Sequence, residues 1–226
     1  MWGLVGRNVA DLVEAPRPIR HDFQPLTPEQ SRALLQSIKD DPMEAFFILA
    51  ITTGMRLGEL RGLRWADVDL TRGHLQARST LYMLEGKWIF GEPKSERSRR
   101  SITLSSLAVN ALKAHRTTQL EHRLEMGEEW QDWDIVFCGP LGQPITERAV
   151  RGPFHRILAK IGLPPMRLHD LRHSAATLLL SQGVHPRIVQ DLLGHSTISL
   201  TLDVYSHMLP NLQKEAADKM DAIFGG

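Results

Sequence analysis

A chain of 226 residues, 42% hydrophobic and 23% charged, has the composition of a globular protein with a sizeable core, in one large domain or two small ones. A single cysteine, Cys138, excludes an internal disulfide framework and a cysteine-rich zinc module. The longest apolar run, AFFILAI at 45–51, is too short to span a bilayer, and no basic-then-apolar leader opens the chain, so the expected location is cytoplasmic. The formal charge of +1 conceals a segregation. Residues 148–172 carry six Lys and Arg side chains against Asp170 alone, EPKSERSRR at 92–100 is a second basic cluster, and 121–134 is acidic. Basic patches of this kind can hold a polyanion, although each also reads as a solvated helix face.

In chain order, residues 1–25 show no sustained period, and APRPIRHDFQP reads as an extended linker. The first helix is expected at LTPEQ, with Thr27 as N-cap, Pro28 at the first helical position and Gln30 closing a capping box. Its apolar face is Leu34, Leu35 and Ile38. A buried helix follows over about 42–53 and ends at Gly54, where a left-handed cap is needed. RLGELRGL restarts a helix with Leu57, Leu60 and Leu63 on one side. Between about 68 and 104, HLQARSTLY, KWIFGEPK and RSITL read as three short strands with turns at LEG and SERS, forming one antiparallel sheet. Helices are then expected over 106–126, 146–161, 169–182, 186–193, 197–206 and 210–223. The expected fold is mainly α with a small three-stranded antiparallel sheet.

The chemistry concentrates in RLHDLRHS, 167–174. His169, Arg172 and His173 lie three and four positions apart and share a helix face. Two imidazoles beside Asp170 resemble a zinc site, but a guanidinium within one turn would repel the metal. A polar helix face without chemistry is the plainer alternative. An anion site would want a second arginine, and TTGMRLGEL supplies Arg56 at a helix start with Glu59 three residues on, able to hold it or simply to pair with it at the surface. Attack on a phosphate needs a nucleophile. Of the two tyrosines, Tyr82 falls in a strand and is expected to be buried, whereas Tyr205 lies among polar residues ten positions after His195. Nearby arginines would favour its phenolate. Lys94, in a hairpin turn, could protonate a leaving alkoxide.

Together these segments resemble the tyrosine recombinase family, the phage-integrase type: TGMRLGEL its first arginine box, PKSERSRRSITL its lysine hairpin, HDLRHSAATLLLSQG its His-x-x-Arg box, and LLGHSTISLTLDVYSH its Leu-Gly-His segment running into the tyrosine. The resemblance implies a DNA breaking-and-rejoining catalytic domain over 25–226, with 1–24 a linker remnant of an N-terminal core-binding domain. It implies that Arg56 and Arg172 bind the scissile phosphate, His169 assists proton transfer, His195 hydrogen-bonds the phosphate, Lys94 protonates the leaving 5′ oxygen, and Tyr205 attacks to give a 3′-phosphotyrosine. Glu59 is supporting. His173, Asp170 and His207 take structural roles. The implied partner is double-stranded DNA bearing an attachment-type site, engaged as a homotetramer, with a monomer in isolation and directionality factors as possible partners. Neither metal nor nucleotide cofactor is implied. The last helix, with Leu212, Ala216, Met220 and Ile223 in a stripe, would dock on a neighbouring protomer or fold back on its own domain. A DNA-binding module that no longer cleaves is the alternative from a different class.

Overall fold

The computed structural model describes residues 24–91, 99–194 and 209–225, the side chains of 209–216 excepted. Helix α1 (Pro28–Ser37) starts as its sequence dictates: the Thr27 hydroxyl accepts the Gln30 N–H at 3.2 Å, and the Gln30 side chain accepts the Thr27 N–H at 2.9 Å. Helix α2 (Glu44–Thr53) is apolar all round and buried from Ala45 to Ile51, as a central helix must be. It packs on α4 (Ser106–Met126) and on α6 (Leu168–Ser181). Phe46 meets Phe137 edge-on at 5.0 Å between centroids, and Phe47 stacks on Phe154 of α5 (Glu147–Lys160) at 5.5 Å. Short helix α3 (Leu57–Arg61) follows α2 after one turn. Helix α7 (Pro186–Leu193) joins α6 through a small cluster of Ala176, Leu180, Val189 and Leu193. Helix α8 (Leu209–Phe224) ends the chain. The helix expected over 197–206 lies outside the described residues. Among the described residues, no helix is long and apolar enough to cross a membrane.

The strand region departs from the single expected sheet. Strands β1 (Val68–Asp69), β2 (His74–Ala77) and β5 (Arg100–Thr103) form one antiparallel sheet in the order β1-β2-β5, while β3 (Thr80–Leu84) and β4 (Lys87–Gly91) form a separate hairpin. HLQARSTLY therefore breaks at Arg78 and Ser79. Two glycines one turn apart account for the break: a Cβ on Gly58 would stand 2.6 Å from the Thr80 side chain, and one on Gly62 would stand 2.8 Å from the Leu81 backbone nitrogen. These bare positions let β3 lie directly on α3 and draw it away from β2.

Tyr82 corrects another expectation. It is 43% exposed, on the outer face of the β3–β4 hairpin. Its ring covers Gly91, where a Cβ would come within 2.5 Å of the ring edge. The ring shields a glycine backbone instead of entering the core.

Candidate active site

The site grows from the turn after α2. Gly54 takes φ 60°, ψ 25°, the left-handed conformation that glycine adopts without strain. Its missing side chain has a second use, since a Cβ there would lie 2.3 Å from Leu193 at the end of α7. The turn therefore presses α2, α6 and α7 together. Its carbonyl accepts Nη1 of Arg172 at 2.7 Å, a contact across 118 positions of sequence. Two residues further on, Arg56 caps α3. Its backbone N–H donates to Glu59 Oε2 at 2.9 Å, its Nη1 to Glu59 Oε1 at 2.8 Å, and its Nη2 to the Gly194 carbonyl at 3.1 Å.

Glu59 is buried, which a surface ion pair would not require. A second arginine explains how its charge is tolerated. Arg100, on β5, donates Nη1 to Oε1 at 3.2 Å and Nη2 to Oε2 at 3.0 Å, and its Nε reaches the Leu192 carbonyl at 2.6 Å. Burial pushes the Glu59 carboxyl pKa up, but Arg100 first and then Arg56 outweigh it, and the pKa is held below the usual carboxylate value. Glu59 is thus an anion at neutral pH, with Oε1 shared between the two guanidiniums and Oε2 between Arg100 and the Arg56 backbone N–H.

Arg172 is treated differently. It is 2% exposed, and its Nη2 has no hydrogen-bond partner among the described residues. Burial, then the charges of Arg56 and Arg100, push its pKa down to about 9, with Glu59 opposing. At neutral pH it is still a cation, in a setting that a bound anion would relieve. An unpaired buried donor costs roughly 1–3 kcal/mol, and a phosphate oxygen would remove that cost.

His169 and His173 stand edge to face at 4.9 Å on the same helix. The His169 ring keeps an exposed edge, yet partial burial, then His173 and Arg172, lower its pKa. Burial and Arg172 lower that of His173 against Asp170. Both rings are therefore neutral at pH 7, able to accept a proton as well as to donate one. Asp170 caps α6, its Oδ2 accepting the Arg167 N–H at 2.6 Å, in keeping with a structural role. Arg172 stands beside the imidazoles, and among the described residues no three His, Cys, Asp or Glu side chains are grouped to hold a metal ion.

Of the residues singled out in the sequence, Arg56, Glu59, His169 and Arg172 come together in one place. Lys94, His195, Tyr205 and His207 lie outside the described residues. Arg100 was missed, although its signal is in RSITL. Ile102 is buried, and parity along a strand puts Arg100 on the same face, opposite Ala77.

The model of the phage integrase family matches residues 24–211. A tyrosine recombinase XerC-like protein of Caldanaerobacter subterraneus is 30% identical over 219 residues, which cover 91% of this chain and 56% of that protein. The ICEBs1 integrase of Bacillus subtilis is 29% identical, over 97% of this chain and 60% of that protein. The chain thus spans well under two thirds of the length of these relatives. Among solved structures, the integrase of transposon Tn1549 in complex with transposon right end DNA superposes with a TM-score of 0.72 over 88% of this chain and 66% of that one, at 23% identity. XerA recombinase gives 0.68 over 89% and 66%, at 24% identity. The fold is theirs, and with the family model spanning both arginine boxes, the chain belongs to the phage integrase family.

Proposed function

We propose that this chain is the catalytic part of a site-specific DNA recombinase, an integrase that cuts and rejoins strands through a covalent 3′-phosphotyrosine. The observation that carries this reading is the Arg172 guanidinium, buried beside Arg56 with one donor unpaired among the described residues. Such a pair suits a phosphodiester, whose charge rises as a fifth oxygen approaches phosphorus. Arg56 and Arg172 hold the non-bridging oxygens. The Tyr205 phenol attacks phosphorus, His169 assists its proton transfer, His195 hydrogen-bonds the phosphate, and Lys94 protonates the departing 5′ oxygen. One phosphodiester is exchanged for another, so no external energy source, metal or nucleotide cofactor is needed. The 5′ hydroxyl of a second strand then reverses the step.

The partner on this reading is double-stranded DNA; the similar Tn1549 integrase was solved in complex with transposon right end DNA, and XerH recombinase bound to palindromic difH substrate. The end of α8 supports assembly on that DNA. Met220, Ile223 and Phe224 are 53%, 70% and 77% exposed, an apolar stripe left for a neighbouring protomer in a tetramer.

The test is a pool of nicked duplexes with randomised cores, incubated with the protein in excess EDTA and run on a denaturing gel. The recombinase reading expects an adduct that survives chelation and disappears in Tyr205→Phe. An activity abolished by EDTA would favour the zinc alternative, and binding without adduct would favour the non-cleaving module.

A further inference from the structure

We propose that Arg100 is a positioning residue for strand transfer, locking Arg56, the end of α7 and strand β5 into one register through the Glu59 carboxylate. The inference rests on the recombinase reading.

Every nitrogen of the Arg100 guanidinium is engaged in this junction. Its two Nη atoms take one oxygen each of Glu59, the same two oxygens that hold the Arg56 side chain and backbone N–H. Its Nε takes the carbonyl of Leu192, and Arg56 takes that of Gly194 two residues later. Leu192 is in the last turn of α7 and Gly194 is its C-cap, where carbonyls lack a following turn to bond and the helix dipole favours cations. The two arginines therefore fasten the turn from which the chain enters His195. Arg100 also opens β5, the strand that leaves the segment holding Lys94. One side chain thus pins the chain where it departs from one proposed catalytic residue and where it approaches another. A planar fork can serve a carboxylate and a carbonyl at once, whereas a lysine ammonium is a point charge and cannot hold all three acceptors in this geometry.

A buried ion pair that served stability alone would show up in folding but not in the pH dependence of the reaction. The charged groups facing Glu59 are Arg56 from α3, Arg100 from β5 and Arg172 from α6, while the end of α7 offers backbone carbonyls. Removing Arg100 leaves Glu59 buried with its principal partner gone, so its proton affinity rises. Once protonated, Glu59 no longer holds Arg56 by charge. Strand cleavage in the variant then acquires a dependence on acid beyond the one that His169 gives the wild type.

The experiment measures single-turnover adduct formation on nicked duplex by the full chain across about pH 5.5 to 8.5, with thermal unfolding of each variant in parallel. Arg100→Gln is expected to slow adduct formation at neutral pH toward about 10²-fold per folded molecule, the scale of a misplaced catalytic group. Its rate should fall further as pH drops, and the double variant Arg100→Gln with Glu59→Gln should lose that acidic limb. Arg100→Lys keeps the charge and is the reading to use if Arg100→Gln does not fold; it should recover part of the rate, not all. Wild-type rate and pH profile in both single variants, corrected for the folded fraction, would overturn the inference. A wild-type protein that forms no adduct while it binds DNA would instead remove the recombinase reading, and this inference with it.

Discussion

The phenylalanine core around α2 and the arginine junction beyond Gly54 are joined end to end, yet they are built on opposite rules. Around α2, Phe46, Phe47, Phe137 and Phe154 fill one another's surfaces and ask for nothing more. At the junction two guanidiniums and one carboxylate act on a third guanidinium, and one of its donors is left unpaired among the described residues. The first region is complete without a ligand, and the second, on the proposed reading, is completed by an anion. The contrast teaches where stability and function lie: the core supplies the free energy that keeps an over-positive site folded.

Several substitutions would break or sharpen that contrast. The largest expected effect is on chemistry. Arg172→Ala should reduce adduct formation by about 10²–10³ or more while DNA retention, measured by filter binding, drops by much less, because transition-state charge loses its partner. Equal losses in both would make Arg172 a binding contact. In the core, Phe47→Ala should cost about 3–5 kcal/mol in urea unfolding but leave adduct formation per folded molecule unchanged. Gly54→Ala joins the two regions. The αL strain and the 2.3 Å approach to Leu193 should cost roughly 1–3 kcal/mol and also slow cleavage, since the same turn carries the carbonyl that holds Arg172. The smallest effect is the most diagnostic of an anion site. Inorganic phosphate should raise Tm above the value in chloride of equal ionic strength, by the mass-action stabilisation of a ligand that binds the folded state. Arg172→Met should abolish that increment, whatever its own effect on Tm in chloride, where loss of a desolvated cation is set against a Gly54 carbonyl left without its donor.

The acid side follows from the histidines. His169 and His173 have lowered pKa values in the folded state, so the unfolded chain binds protons first as pH falls below about 6.5, and their contribution to stability is lost in that direction. Tm should therefore decline as pH drops through this range, and less so in His173→Gln.

Much of this was legible in the sequence where the signal is local. Thr27 with Gln30, and Gly54 after an apolar helix, are decided by neighbouring residues, and the structure follows them. The meeting of Arg56 and Arg172 could not be read from spacing; order and motif suggested it, and the Gly54 carbonyl delivers it. What remained illegible depends on elements distant in sequence. Gly58 and Gly62 look like ordinary helix residues until β3 is found lying on them, and that packing splits the expected sheet. Tyr82 is an aromatic in a strand, as a core residue would be, but it is Leu81 beside it that is buried, and Tyr82 is left on the exposed side of the hairpin. Glu59 and Arg100 pair across 41 positions, and either one alone reads as surface charge.

The account stands or falls on Arg172 answering the charge of a phosphate. The most direct measurement compares wild type with Arg172→Ala on two nicked substrates, one with the natural scissile phosphodiester and one with a neutral methylphosphonate in its place. The account predicts that the substitution costs far more on the charged substrate than on the neutral one, whose transition state carries one negative charge fewer for a guanidinium to meet. The same fractional loss on both would mean that Arg172 holds the fold together and does not answer the phosphate.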